Sequence, residues 1–285
     1  MTSPSIRALL ERIGAIDGER VTAFASHTRD REIPVWHDPV SGVIFIDDFY
    51  VGDAQYASGG YRHSSSGLDF EDHCDTQRRV TDLRSLYFGR RVLDFGCGAG
   101  NFLRTIKDSA LHVQGVELQD SFRNRLVQDG IDCFNSIAES SAVDIVFMFH
   151  VLEHLPDPVE VLREIRTKIS GENGVLVVEV PHAKDFLIAV AQCQSFIDFT
   201  LWSQHLILHT HDSLTRILAA AGFRDIQVRG VQRYGLANHM KWLAKGEPGG
   251  HKDTFSLFET PALNQQYCAA LAAMNATDTL IATAK

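Results

Sequence analysis

Apolar runs alternate with helical patterns from about residue 90 to the end of the chain. Val92 to Phe95 is a short apolar run, and the glycine-rich stretch Gly96 to Gly100 follows it. Apolar residues at helical spacing come next, at Phe102, Leu103 and Ile106. This order predicts a strand, a tight turn and a helix.

Further strands and helices follow the first ones. Six apolar runs predict strands, at residues 111–117, 131–134, 143–149, 174–180, 226–231 and 279–284. The run at 143–149, VDIVFMF, is almost continuously apolar, which is typical of a strand buried on both faces of a parallel sheet. We expect three helices between these strands, each with an aspartate as its N-cap and a glycine at its end. They run from Asp120 to Gly130, from Asp157 to Gly171 and from Asp212 to Gly222.

The alternation predicts an α/β protein with a doubly wound, seven-stranded and mostly parallel sheet. We expect residues 90–285 to form this core and residues 1–89 to form an N-terminal cap segment. Two inserts interrupt the core, at 182–211 and 232–277. Because ligands of open α/β sheets bind beyond the carboxyl ends of the strands, we expect the cap and the inserts to build the substrate pocket.

The composition excludes several function classes. The 285 residues are 45% hydrophobic and 22% charged, so neither a disordered nor a fibrous chain fits. A formal net charge of -9 without a long basic run disfavours nucleic-acid binding. The apolar stretches fall far short of the roughly 20 residues that span a bilayer, so we expect no membrane partner.

Cysteine usage and the N-terminal residues indicate the compartment. The five cysteines are odd in number and widely spaced, without a C-x-x-C pair, which indicates neither a disulfide framework nor a cysteine zinc site. The first twenty residues carry acidic side chains and no uninterrupted apolar core, unlike a signal peptide. We therefore expect a cytoplasmic protein.

The glycine-rich turn carries the strongest chemical signal. Glycines at alternate positions after a strand let the backbone approach a ligand, and Glu117 closes the next strand, where an acid can accept hydrogen bonds from both ribose hydroxyls. Together they indicate an adenosine-containing cofactor. The spacing is D-x-G-x-G-x-G, and its acid, Asp94, would repel a pyrophosphate but attract a cationic amine and sulfonium. A nicotinamide-dependent oxidoreductase is therefore the less favoured alternative.

These residues resemble the class I S-adenosyl-L-methionine (SAM)-dependent methyltransferases. The resemblance covers about residues 75 to 231. It includes the block VLEHLPDP from Val151 to Pro158, which is similar to a signature of the branch that contains ubiquinone-type, sugar and natural-product methyltransferases. The resemblance implies a Rossmann-like methyltransferase fold with SAM as the cofactor.

The resemblance also implies a set of cofactor-binding residues. Around the methionine portion, the ribose and the adenine, we expect Asp94, Gly96, Cys97, Gly98, Gly100, Glu117, Leu118, Ser136, His150 and Tyr61. Segment 50–62 is similar to one that folds over the cofactor in sugar and natural-product relatives. Tyr56, Tyr61 and Arg62 are the candidates there, and aromatic packing under a surface loop is the alternative.

The acceptor is expected to be a small polar molecule, with transfer to a hydroxyl of a sugar or related metabolite. A quinone, a polyketide or another natural product is the alternative acceptor, and a catalytically silent cofactor-binding protein is the alternative function. A general base near neutral pKa would assist methylation of a hydroxyl. His150 and His205 are the first candidates and His154 is the third. A homodimer is left open.

A metal site is the last alternative. His150, Glu153 and His154 stand at i, i+3 and i+4, and His209 and His211 lie downstream. Some related methyltransferases use a Glu-x-x-Glu-His set and a distant histidine to bind a divalent ion. Because this chain has a histidine at the position of the first glutamate, we expect no metal.

Overall fold

The computed structural model describes residues 5–59, 70–171 and 173–285. The strands are β1 (Thr22–Ala25), β2 (Val35–His37), β3 (Ile44–Ile46), β4 (Arg91–Phe95), β5 (His112–Val116), β6 (Asp132–Phe134), β7 (Ile145–Phe149), β8 (Val175–Pro181), β9 (Ile207–Leu208), β10 (Gln227–Val231) and β11 (Thr279–Ala284). The α-helices are α1 (Ile6–Arg12), α2 (Asp53–Ala57), α3 (Phe70–Asp82), α4 (Arg84–Tyr87), α5 (Asn101–Ile106), α6 (Asp120–Gln128), α7 (Pro158–Lys168), α8 (Gln194–Thr200), α9 (His211–Ala220), α10 (Leu236–Lys245) and α11 (Pro261–Ala273).

The main sheet has seven strands in the order β10-β11-β8-β7-β4-β5-β6. Strand β11 runs antiparallel to β8 and β10, and the pairs from β8 to β6 are parallel. The predicted α/β class and the seven-stranded, mostly parallel sheet are confirmed. The order reverses at β4, so the loops after β4 and β7 face each other across a crevice at the carboxyl edge.

Strand β7 is central because both of its faces are apolar. Val146 and Met148 lie in the core on one face with Leu162 of α7. On the other face, the Phe147 ring packs edge-on against Phe102 of α5, with centroids 5.1 Å apart. The two-residue alternation of a strand thus explains why an unbroken apolar run is needed here.

Two of the three predicted helix caps are wrong by one or two residues. Helix α6 begins at Asp120 itself, and α9 is capped by Thr210, whose hydroxyl accepts the Ser213 N–H in a reciprocal capping box. Asp120 and Asp212 lie in the first turns, where acids favour the helix dipole and resemble caps in a sequence. The predicted cap at Asp157 is confirmed, with its carboxylate accepting the N–H of Glu160 at 3.2 Å.

A second sheet, absent from the sequence prediction, joins the N-terminal segment to the insert after β8. Its order is β1-β2-β3-β9, and it is antiparallel throughout. Strand β9 pairs with β3 through Ile44 with Leu208 and Phe45 with Ile207. The sheet therefore holds both segments beside the carboxyl edge of the main sheet.

Helices α10 and α11 occupy the last insert, before β11. Trp242 of α10 is buried, with its ring edge-on to Phe196 of α8 at 5.3 Å. This contact connects the two inserts. Within the described ranges, the helices are all too short or too polar to cross a membrane.

Candidate active site

A cavity of about 610 Å³ opens at the carboxyl edge of the main sheet. The loops after β4, β5, β6 and β7 form its floor, with Gly96, Gly98, Glu117, Leu118, Ser136, His150 and His154 among the lining residues. The facing wall comes from the connection between β1 and β2, the segment after β3 and the first insert, with Arg29, Tyr50, Tyr56 and Trp202. The cap and the first insert thus contribute to the pocket.

The turn after β4 requires glycine. Gly96 and Gly100 have φ of +75°, and Gly98 has φ of +55°. A Cβ on Gly96 would lie 2.5 Å from Val151 Cγ2, and one on Gly100 would lie 2.3 Å from Leu126 Cδ2. Both the backbone conformation and the packing therefore exclude larger residues, and the turn leaves the backbone open toward the pocket.

Glu117 is fixed by two backbone donors. Its Oε2 accepts the N–H of Gly98 at 2.8 Å, and its Oε1 accepts the N–H of Gln119 at 2.9 Å. Each oxygen keeps a further lone pair for a hydroxyl of a ligand. The buried carboxylate is thus held in one orientation, and its role in binding a ribose stays a prediction.

Asp94 has a buried carboxylate next to the pocket residues Phe95 and Gly96. It is fully buried, and within the described residues its Oδ1 has no hydrogen-bond partner. Burial raises the pKa of Asp94 to about 7, against the lowering effect of Arg79 and with a small contribution from Glu117. A buried carboxylate oxygen of this kind fits the cationic amine of a methionine group.

The other predicted cofactor residues divide into two groups. Leu118, Ser136 and His150 line the pocket. Cys97 turns to Cys133, with the two Sγ atoms 3.9 Å apart, and Gly100 supports the start of α5. Tyr61 and Arg62 lie outside the described residues.

His150 lies between two buried carboxylates. Its Nδ1 is 3.3 Å from Glu153 Oε1, and its Nε2 is 3.2 Å from Glu179 Oε1. Burial and Arg233 lower the pKa of His150, but the two carboxylates outweigh them and raise it. Arg79 holds Glu179 at 2.6 Å. The surroundings therefore favour the imidazolium, which has no lone pair to accept a proton.

His154 differs from His150 because a main-chain carbonyl, and not a carboxylate, faces its Nδ1. Its Nδ1 lies 2.8 Å from the carbonyl oxygen of Gln204, so Nδ1 carries the proton and donates it. In the neutral ring the lone pair is then on Nε2, which lies 4.0 Å from Glu153 Oε1. The rings of Tyr56 and Trp202 both pack edge-on against His154 at 5.9 Å.

His205 lies behind this layer, with its ring 5.1 Å from that of His154 and 5.3 Å from that of Trp202. Burial lowers its pKa to about 3, so the ring is neutral. Glu153, His154 and His205 each offer one atom within 4.8 Å of the others, close enough for one divalent cation. The downstream histidines named above lie elsewhere, His209 beside Ser213 and His211 beside His182.

Several pocket residues escaped the sequence analysis. Trp202 and Arg29 come from segments whose pairing is not encoded locally. Glu179 had a detectable signal, because a single acid inside the buried run GVLVVEV requires a cationic partner. Arg78 and Arg79 of α3 supply it.

The comparison with known proteins agrees with this geometry. A family model described as a methyltransferase domain matches residues 72–228, more than half of the chain. The chain belongs to the class I SAM-dependent methyltransferases. The predicted family and the predicted cofactor, SAM, are confirmed.

Relatives of this methyltransferase include ubiquinone biosynthesis O-methyltransferases. The one from Aeromonas salmonicida is 27% identical over 177 residues, which are 57% of this chain and 74% of the relative. The one from Aromatoleum aromaticum is 34% identical over 177 residues, 53% of this chain and 73% of the relative. A solved SAM-dependent methyltransferase from Archaeoglobus fulgidus shares the fold, with 21% identity, a TM-score of 0.50 and coverage of 76% of this chain and 97% of that one.

The matched range of the methyltransferase contains the glycine turn, Glu117, His150 and His154. It leaves out the wall formed by Arg29, Tyr50 and Tyr56. The named floor residues thus lie inside the matched range, and three of the four named wall residues lie in the N-terminal segment outside it.

Proposed function

We propose that this methyltransferase transfers the methyl group of SAM to a hydroxyl of a small aromatic acceptor, a phenol or a quinol. Three flat rings, Tyr50, Tyr56 and Trp202, line the pocket on the side of the cap. Aromatic walls suit a planar acceptor through stacked or edge-on contacts. The printed name of the relatives, ubiquinone biosynthesis O-methyltransferase, supports the same acceptor class.

The tautomer of His154 is the observation that carries the proposal. The Gln204 carbonyl accepts from Nδ1, which places the lone pair of the neutral ring on Nε2, the nitrogen that we assign to take the proton of an acceptor hydroxyl. The Glu153 carboxylate, 4.0 Å away, stabilises the imidazolium that forms. We therefore assign the role of general base to His154 in preference to His150, whose pKa is raised by two carboxylates, and to His205, which is buried behind it.

The remaining residues bind and orient. Bound SAM supplies a methyl group activated by its sulfonium. Asp94 would hold the amine of its methionine portion, and Glu117 would hold the ribose hydroxyls. His150 lines the pocket between Glu153 and Glu179, and its contact with Glu153 helps to orient that carboxylate. The chain's contribution to rate is then the alignment of the hydroxyl with the methyl group and removal of one proton.

The sugar hydroxyl expected from the sequence stays a prediction, and the pH dependence of a variant separates it from a phenol. His154→Ala should lower turnover by roughly 10²-fold or more with unchanged affinity for S-adenosylhomocysteine. Since a phenol with a pKa near 10 ionises by itself at alkaline pH, the deficit on a phenol should shrink as pH rises. A sugar hydroxyl would show no such recovery.

The experiment incubates the protein with SAM and catechol, hydroquinone or glucose, and follows S-adenosylhomocysteine and product mass. Methylation of catechol or hydroquinone with alkaline recovery in His154→Ala is the expected result. The matched control is His27→Ala, an exposed histidine of the cap that contacts Ser26. Methylation of glucose alone, or full activity of His154→Ala, would contradict the proposal.

A further inference from the structure

The wall that faces the cofactor half of the pocket presents a guanidinium. The Cζ of Arg29 lies 4.8 Å from the centroid of the Trp202 ring and 5.2 Å from that of Phe199. Its Nη1 donates to the carbonyl oxygen of Phe199 at 3.0 Å. The backbone N–H of Arg29 donates to Leu201 at 2.8 Å. The side chain is thus stacked and oriented at the solvent-accessible mouth of the pocket.

The other two arginines that line the pocket each pair with a carboxylate. Arg79 pairs with Glu179 at 2.6 Å, and Arg233 forms a close bidentate pair with Asp75. Arg29 forms no such ion pair with a carboxylate of the described residues. Asp30 attracts it electrostatically, while the hydrogen bonds of the Asp30 carboxylate come from Ser203 and Thr28.

The pKa of Arg29 is shifted in the direction expected for a guanidinium without a carboxylate in direct contact. Burial lowers its pKa, and the attraction of Asp30 offsets that effect only in part. The side chain is exposed, so it would attract an arriving anion as a surface charge, with a guanidinium whose position is fixed by its neighbours. With Nη1 bound to the Phe199 carbonyl, the Nε–H and Nη2–H groups are the donors that would meet a carboxylate or phosphate.

We propose that Arg29 binds an anionic group of the methyl acceptor, a carboxylate or a phosphate, at the end away from the reacting hydroxyl. The inference rests on the proposed function for the position of that hydroxyl. One ring, Trp202, contacts both ends: it lies 4.8 Å from the Arg29 Cζ and 5.9 Å from the His154 ring. Both groups therefore lie beside the same indole ring, within reach of one small acceptor.

The test compares charged and neutral ligands that share one scaffold. Calorimetry on protein saturated with S-adenosylhomocysteine measures the affinity for 3,4-dihydroxybenzoate and for its methyl ester. A second arm uses glucose 1-phosphate and glucose, and it separates a phosphate from a carboxylate. In at least one arm the wild type should bind the anion roughly tenfold tighter than the neutral partner, the effect of one charge-assisted contact.

Three variants locate the effect. Arg29→Gln should abolish the preference for the anion and leave the affinity for the neutral ligand and for S-adenosylhomocysteine unchanged. Arg29→Lys should retain part of the preference, because the charge remains. The matched control is Arg31→Gln, which removes a neighbouring cap arginine whose guanidinium lies over Phe49 at 5.4 Å; it should keep the full preference.

The outcomes separate this inference from the proposed function. Equal affinity for both members of both pairs, or a preference that survives in Arg29→Gln, overturns the role of Arg29. A preference that depends on Arg29 supports the role, whether or not the phenol is methylated. Turnover is measured separately through product mass, so the absence of a methylated phenol would count against the phenolic acceptor alone.

Discussion

Replacement of Glu117 tests the cofactor half of the pocket most directly. Its two oxygens accept the N–H groups of Gly98 and Gln119, at 2.8 and 2.9 Å, and each has one lone pair left for a ribose hydroxyl. A hydrogen bond to a charged group contributes about 1.5 to 3 kcal/mol. Loss of two such bonds in Glu117→Ala should therefore weaken cofactor binding by roughly 3 kcal/mol.

This change corresponds to a rise of about 100-fold in the dissociation constant. Titration calorimetry with S-adenosylhomocysteine measures it, and thermal unfolding reports whether the freed N–H groups also lower stability. Glu139→Ala, which removes an exposed acid just after Ser136, is the matched control and should leave the affinity unchanged. A Glu117→Ala protein that binds S-adenosylhomocysteine as the wild type does would refute the role of this carboxylate.

Three further predictions concern the pocket floor and the core. Burial raises the pKa of Asp94 to about 7, and the cationic amine of the cofactor needs the ionised carboxylate. The affinity for S-adenosylhomocysteine, measured by calorimetry, should therefore fall as the pH drops from 8 to 6. The Asp94→Asn variant should lose this pH dependence. Gly96→Ala should abolish cofactor binding, because its Cβ would meet Val151 at 2.5 Å and its φ is +75°; retained binding would show that the turn can yield. Asp157→Ala should reduce the free energy of unfolding by about 1 kcal/mol, because the hydrogen bond from the Glu160 N–H to the cap is lost. Urea unfolding should show a lower midpoint, and an unchanged midpoint would mean that the cap does not stabilise the protein.

The main sheet was predictable because the hydrophobic pattern of each strand is visible in its own residues. An unbroken run such as 143–149 has to be buried on both faces, and the glycine turn after Phe95 has few alternative conformations. The second sheet was not predictable, since β9 has only two residues and its partner β3 lies in a segment far away in the chain. Short strands of this kind gain their stability from pairing that local propensity does not encode.

In the site, too, some residues could be placed from the local sequence and others could not. Glu117 and Gly96 could be placed from spacing, because the turn and the strand end fix them relative to each other. The protonation of His150 could not, since it depends on Glu179 from another strand. The tautomer of His154 depends on a main-chain carbonyl, at Gln204, that any residue could supply. Charge states of this sort are tertiary properties.

The pairing of β3 with β9 has a practical consequence for exchanging parts between related enzymes. One strand of the second sheet lies more than a hundred residues beyond the others in the chain, so a chimera that swaps only the first sixty residues would have mismatched edges at Phe45 and Ile207. Grafting a new acceptor preference onto this scaffold should therefore require two donor pieces transplanted together. A truncated version starting near residue 72 would lose Leu9, Leu10 and Phe45 from the core that also contains Leu93 and Val146, so the N-terminal segment cannot be treated as a detachable part.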